Sequence, residues 1–593
     1  MNKKMKLGMS FLALFLLICA FGLGCKKKPI DGAYHHVLWE NPKSLDPAQC
    51  SEANVGEALG PVYEPLFQYH YLKRPYQLIP LLAESMPVYS KDGLTVTIKI
   101  KKGVRYQDDA AFAGGKGREI TVNDFIFAFK RLADTKVLSD GWWTLDGKVV
   151  GLNEWRDENS KLPVSDYSKA VGGLTAVDPY TLVIKLKKKY PQLNYVLAMI
   201  YTAPVPQEAI VKYGLDFAMH PVGTGPFVLK EFVRSSNLTY EKNPNFREEY
   251  FPQSEGQKEI DGVDVSDFDY GKRLPLIDKM VIHIILEKQP IWLKLVSGQL
   301  DWARVFKDNF KDALTADNKL APELYKKGIR LQRIETSTFW WISFNMTDPV
   351  IGGEKNKLIR KAMSLAYDVK KDIELFIGGQ ASPANQMLAP VLQGYNAKLS
   401  PKEYNIEKAK ELLVKAGYPG AKGIPTMAID TEGSSEQRQI GEFFKAQMAL
   451  IGINIEIKTH SRPELFDVRK KGKSQIHRSG WGMDYPDAEN YIQLLYGPNK
   501  SPGPNDSNFQ NPEFDKLYEQ MSGMEPSPAR QKIIDRMTEI WLEESPWIPV
   551  RYDMYNLVYP AWVKNYLYVD INYTYNRYYR IDLEKKKELL KNF

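Results

Sequence analysis

The hydrophobic period of this chain switches repeatedly between two and 3.6 residues, and that alternation restricts it to an α/β architecture. Leu94, Val96, Ile98 and Ile100 alternate with Thr and Lys after the turn Lys91-Asp92-Gly93, the pattern of a half-buried strand. Leu182, Ile184 and Leu186 repeat it after Asp178-Pro179. Between them, Thr121 with Asp124 three residues on predicts a capped helix start, and Val122, Phe125, Ile126, Phe129 and Leu132 form its apolar face. In the second half Asn405 caps a helix ending near Gly417, and a helix through Ile440, Phe443 and Leu450 stops at Gly452. Ile453, Ile455 and Ile457 follow as a strand, while Asn511-Pro512 and Ser527-Pro528 each read as an N-cap with proline at the first helical position. The Asp- and Gly-rich stretch from Asp261 to Lys272 reads as a surface insertion. At 593 residues the chain exceeds what one apolar core supports, so several lobes are expected.

The first residues bear on location. Lys3, Lys4 and Lys6 precede an uncharged run over 7–24, which ends at Cys25 and is followed by Lys26, Lys27 and Lys28. A basic start, an apolar run and a small residue before a cysteine predict an export signal over 1–24 and lipidation of Cys25. Gly22-Leu23-Gly24-Cys25 resembles a bacterial lipobox, although Gly22 stands where leucine is usual. The alternative is an uncleaved membrane anchor, for which eighteen residues are just long enough. Either way the bulk of the chain lies outside the cytoplasm, on the periplasmic or cell-surface side of a bacterial membrane. Cleavage would remove three lysines and take the formal charge from +8 to +5, too mild to argue for nucleic acid. With Cys19 in the signal and Cys25 lipidated, only Cys50 remains, so stability must come from core burial and not from an intramolecular disulfide.

Catalytic and metal signatures are sparse. None of the seven histidines (His35, His36, His70, His220, His283, His460, His477) forms a helical zinc-protease pair, and no cysteine pair has zinc spacing. Gly223-Thr224-Gly225-Pro226 lacks the glycine pattern of a dinucleotide loop, and Gly114-Gly115-Lys116-Gly117 lacks that of a phosphate loop. There is no Gly-x-Ser-x-Gly elbow. No cofactor, no metal and no enzymatic activity are expected; aromatic residues, at 12%, are plentiful enough to line a ligand site.

An ordered set of segments then resembles the oligopeptide- and dipeptide-binding lipoproteins of ABC importers, the extracellular solute-binding proteins of family 5. The set comprises Ser44-Leu45-Asp46-Pro47, Tyr63-Glu64-Pro65-Leu66-Phe67, Leu81-Leu82-Ala83-Glu84-Ser85, Lys102-Gly103-Val104 and the helix from Thr121. His220-Pro221-Val222-Gly223-Thr224-Gly225-Pro226-Phe227 is its best single match. Ile359-Arg360-Lys361-Ala362, Leu365-Ala366-Tyr367-Asp368, Ala416-Gly417-Tyr418, Gly480-Trp481-Gly482-Met483-Asp484-Tyr485 and Asn511-Pro512-Glu513-Phe514-Asp515 complete it. The resemblance implies a bilobed periplasmic-binding-protein fold, two hinged α/β lobes with an extra inserted α/β domain. By analogy 25–66, 205–337 and 552–593 build the first lobe, 67–204 the inserted domain and 338–551 the second lobe, with crossings near Thr338 and Arg551.

The implied function is capture of an oligopeptide or dipeptide in the interlobe cleft and delivery to the permease subunits of an ABC transporter, by a monomer tethered through its N-terminal lipid. The resemblance places the carboxylate for the peptide ammonium at Asp484, for which a turn-capping role before Tyr485-Pro486 is the alternative. Gly480, Trp481, Gly482 and Met483 would form the strand that pairs with the peptide backbone; the glycines alternatively mark a bend. Trp481 and Trp341 would line the pocket or belong to the core. Ala53 would face the ligand from the first lobe, and Arg478 would meet a peptide carboxylate or form an ordinary ion pair. His477 is expected to be solvated or hydrogen-bonded, and Asp487 and Glu489 to start the next helix. Two other functions remain open: the same fold carrying a metal chelate, haem, a sugar or a murein peptide, or a surface lipoprotein acting as an adhesin or receptor.

Overall fold

The computed structural model describes residues 31–50, 53–571 and 574–593; the expected signal and Cys25 lie outside them. The strands read at 94–100 and 182–186 pair with each other antiparallel, Val96 opposite Ile184 and Ile98 opposite Leu182. They form the middle of a four-stranded sheet whose outer strands are Val88–Tyr89 and Leu174–Asp178. The helix Val122–Ala133 packs on it, and Asp124 accepts the Thr121 backbone N–H at 2.8 Å. Its buried face is wider than the stripe read from sequence. Phe127 and Ala128 are enclosed as well, while Ile126 is only half-buried, because neighbours cover the helix on more than one side.

A second four-stranded sheet joins distant parts of the chain. Tyr34–Leu38 lies parallel to Lys279–Ile284, which continues antiparallel into Asn237–Lys242 and Phe227–Val233. The Gly223–Gly225 loop packs backbone against backbone here. Gly225 N–H donates to Val62 O at 2.8 Å, and a Cβ on Gly223 would sit 2.1 Å from that same oxygen. The glycines therefore serve close chain packing, with no nucleotide role required.

A seven-stranded sheet spans the rest. Its two long strands, Ile329–Phe344 and Trp547–Pro560, run antiparallel from Ile329 opposite Pro560 to Ser343 opposite Trp547. One end of this ribbon packs in a core with Val37, Ile291 and Leu295, and the other in a separate core with Ile359, Met363 and Phe444. The ladder is interrupted between Glu335 and Phe339, so the ribbon that links the two cores is irregular midway. On its far side the sheet adds Ile476–Trp481, Met427–Glu432 and Ile455–His460.

The caps are where the sequence puts them. Asn405, Asn511 and Ser527 side chains accept from Lys408, Phe514 and Arg530 N–H. The helix Ser435–Ala449 corrects one expectation. Ile440, Phe444 and Met448 face the core, Phe443 is half-buried and Leu450 is 49% exposed, so the apolar face runs at i, i+4, i+8. The stretch 261–272 is no loose insertion either: Val265 is buried, and buried Asp269 pairs with Arg580 at 2.6 Å. Among the described residues no helix is long and apolar enough to cross a membrane.

Candidate functional site

Met427–Glu432 and Ile476–Trp481 start as a parallel pair, but their pairing ends at Asp430 opposite His477. Beyond that point the first strand follows Ile455–His460 and the second follows Ile329–Phe344. The two chains diverge, and a cavity of about 1440 Å³ opens where they part, at the carboxyl ends of parallel strands. Arg478 to Trp481 keep ladder partners Ile342 to Phe339 on one side. On the other side these four residues have no strand partner among the described residues, and they border the cavity.

One wall of the cavity comes from residues 340–341 and 429–523, including Trp340, Trp481, Tyr485 and Tyr518. The opposite wall comes from residues 143–192, including Trp143, Lys148 and Tyr190. The walls touch at the rim. Gln192 Nε2 donates to Ser522 O at 3.2 Å, and the rings of Tyr195 and Tyr485 stack with centroids 5.7 Å apart.

Most of the charge on the wall built from residues 429–523 is internally matched. Arg469 pairs with Asp506 and donates to Ser479 Oγ, and His477 Nε2 lies 3.0 Å from Asp506. Burial would raise the Asp506 carboxyl, but Arg469 and His477 outweigh it and hold it far below the usual carboxylate range. Arg478 donates through both terminal nitrogens to fully buried Asp372, at 3.0 and 3.3 Å, so its charge is already engaged. Glu489 is gripped by the hydroxyls of Tyr485, at 2.5 Å, and Tyr518, and burial raises its pKa. Asp487 forms a buried bidentate pair with Arg530 at 2.6 and 2.9 Å.

Asp484 is different. Half-buried, it accepts one hydrogen bond on Oδ2, from Asn490 Nδ2 at 2.8 Å, and has no cationic partner among the described residues. Burial first, then nearby Glu489, push its pKa up to about 6 against the opposing Asn490 bond. Asn490 also takes the Trp481 Nε1–H at 3.1 Å and the Asp484 N–H at 2.9 Å, which fixes the turn after the strand.

Of the residues singled out from sequence, Trp341, Arg478, Gly480 and Trp481 line this cavity, whereas Asp484 does not, although its neighbour Tyr485 does. Trp341 is 3% exposed in a stack with Phe339 and Trp547, whereas its neighbour Trp340 is half-buried. Gly482 faces Ser337 and Thr338 on the long strand Ile329–Phe344, and the Met483 N–H donates to Ser337 Oγ at 3.1 Å, which engages that donor within the protein. Ala53 opens the helix Ala53–Leu59, and its side chain lies outside the described residues. The wall over 143–192 was missed, because nothing local in its sequence marks it as facing a strand almost 300 residues later.

Gly480 has a specific reason to be glycine. A Cβ there would stand 2.7 Å from the Trp340 ring, which is pinned by its Nε1–H to Asp553 at 3.0 Å and covered by Arg551 5.0 Å away. Gly480→Ala is expected to cost about 1–3 kcal/mol by overpacking. Gly482→Ala, with 3.6 Å to its nearest atom, is expected to stay within about 0.5 kcal/mol of the parent. Thermal denaturation of the two variants side by side checks this; equal melting points would refute it.

The comparisons with known proteins agree on a family. The family described as Bacterial extracellular solute-binding proteins, family 5 Middle, matches residues 77–503. Heme-binding protein A of Haemophilus influenzae is 25% identical over 574 residues, covering 94% of each chain. Glutathione-binding protein GsiB of Escherichia coli is 23% identical over 517 residues, covering 86% of this chain and 87% of its own. The ABC transporter-associated periplasmic binding protein DppA from Helicobacter pylori, solved in complex with the peptide STSA, superposes with a TM-score of 0.72 at 21% identity, covering 93% of this chain and 98% of that one. That likeness establishes a shared bilobed α/β fold.

Proposed function

Because the chain belongs to the bacterial extracellular solute-binding proteins of family 5, we propose that it captures short peptides between its lobes and hands them to an ABC permease. The observation that carries this reading is the unpartnered edge of Arg478 to Trp481 beside the cavity. An extended peptide laid along it gains main-chain hydrogen bonds whatever its side chains, which suits a carrier of many sequences. Asp484, three residues past the end of that strand, beside cavity-lining Tyr485 and without a cationic partner among the described residues, is the counter-charge for the peptide ammonium. The alternative of a simple turn cap explains its position but not its lack of a stabilising partner. The cavity exceeds the roughly 300–1,000 Å³ of sites for drug-sized ligands, which favours a peptide of several residues over a dipeptide.

Heme fits this cavity poorly. Its described lining holds no His, Cys or Met, and the tyrosine hydroxyls on it are all engaged. Tyr190 donates to Thr144 O, Tyr485 and Tyr518 to Glu489, and Tyr496 to Glu519. An iron would find no free axial ligand of the usual kinds.

Capture is by closure. The rim contacts Gln192–Ser522 and Tyr195–Tyr485 exist only with the walls together, so a ligand touching both walls shifts the equilibrium toward the closed form. The ladder break between Glu335 and Phe339 is the flexing point, close to the crossings placed at Thr338 and Arg551. In this reading 67–204 is the inserted domain, Cys25 carries the lipid, and the exported protein works as a monomer. Mass spectrometry of ligands released by denaturing the purified protein tests the reading. Peptides with free N-termini are expected; heme or a sugar in their place would overturn it.

A further inference from the structure

The wall over 143–192 carries a cation that the fold leaves unmatched. Lys148 lines the cavity, half-buried, with its Nζ 5.0 Å from the centre of the Tyr190 ring. Among the described residues it forms no ion pair, unlike Arg469 and Arg478 across the cavity. The acids that act on it are Glu489 and Asp146. Both stay beyond ion-pair distance, and each already has a neutral partner: the Glu489 oxygens take the Tyr485 and Tyr518 hydroxyls, and Asp146 takes the Asn153 amide at 2.6 Å. Lys188, also on the cavity wall, adds positive charge beside it. Burial and Lys188 both work against the Lys148 ammonium, so an incoming anion would relieve a real electrostatic cost. The cavity thus meets an unmatched positive charge at Lys148, on the wall opposite the strand edge of Arg478 to Trp481.

We propose that Lys148 receives a carboxylate of the bound ligand, so that the inserted segment reads the anionic end of the cargo while the second lobe holds its backbone. This rests on the peptide reading above. It assigns the 143–192 wall a recognition role and explains why closure needs the ligand: an unpaired lysine approaching a low-dielectric cavity resists enclosure until an anion meets it. A carboxylate at this point comes from a C-terminus or from an acidic side chain, and the test separates the two.

The probe is a mixed-sequence tetrapeptide pool, prepared once with free and once with amidated C-termini, in competition for the intact protein. The parent protein is expected to prefer the free-acid pool about tenfold or more, with Lys148→Gln binding both pools equally and Lys148→Arg restoring the preference. If amidation has no effect but peptides carrying Glu or Asp are enriched, and Lys148→Gln abolishes that enrichment, the carboxylate is a side chain. Lys148→Gln that discriminates as the parent does, or a parent that binds both pools without preference for any acid, overturns the role of Lys148 and leaves peptide capture standing. Binding of neither pool by the parent would overturn both. The parent's own discrimination needs no substitution, so a folding defect in a variant does not obscure the result.

Discussion

Asp484→Asn is expected to weaken binding of N-terminally free peptides by roughly thirtyfold or more and to make the empty protein more stable. The first effect follows from removing the counter-charge of an enclosed ammonium, worth about 2–5 kcal/mol when one partner of a desolvated pair is truncated. The second follows from linkage. The folded pKa of about 6 lies above the ordinary 3.8, so the folded state prefers the protonated acid. The carboxylate therefore costs the empty protein up to about 2–3 kcal/mol above pH 6, and that cost disappears as pH falls from 6 toward 4. Asparagine removes it, so the variant's denaturation midpoint should exceed the parent's at pH 8 and match it near pH 4. Peptide affinity of the parent should fall below pH 6 as protons compete with the ammonium, and the variant should show no such dependence. N-acetylated peptides supply the matching ligand-side control. Calorimetric titration of a free-amine peptide that reads the same affinity for parent and variant would remove Asp484 from the site.

Arg577→Met is expected to destabilise the protein by about 3–5 kcal/mol at neutral pH without acting on the cavity. Arg577 and Glu64 are fully buried and bond each other at 2.8 Å. Arg247 bonds Glu64 at 2.6 and 3.0 Å, and Glu249 bridges both arginines. The cluster joins three stretches of chain from both ends of the sequence. Removing one arginine strands a carboxylate in a place it tolerates only when paired. Burial raises the Glu64 carboxyl, but Arg247 and Arg577 outweigh it and hold the pKa at about 2, below the ordinary 4.5. A depressed pKa contributes stability that is fully present above pH 4.5 and lost as pH falls toward 2. The deficit of the variant should therefore narrow across that window. Urea unfolding at pH 7 and pH 3 measures both; a deficit equal at the two pH values would show that packing, not charge pairing, is what Arg577 supplies.

Family, fold class and helix boundaries were legible in the residue order because each is written in short-range terms. A capping Asn405 or Ser527 meets its N–H three residues on, and the period of Leu94 to Ile100 declares a strand without reference to any partner. The strand that borders the cavity was legible as well, through Gly480 and Trp481. What those residues touch was not. Arg478 looks available until Asp372, 106 positions away, is found beneath it. Trp340 and Trp341 are adjacent in sequence, yet one packs in an aromatic stack and the other limits residue 480 to glycine. Lys148 and Tyr190 border the cavity only because residues 143–192 fold against a wall built from residues 340–523. Periodicity, caps and turn residues act over a few positions and survive in one dimension. Charge matching, ring stacking and the walls of a cavity depend on which distant segments the packed cores bring together, and the tertiary structure alone decided those.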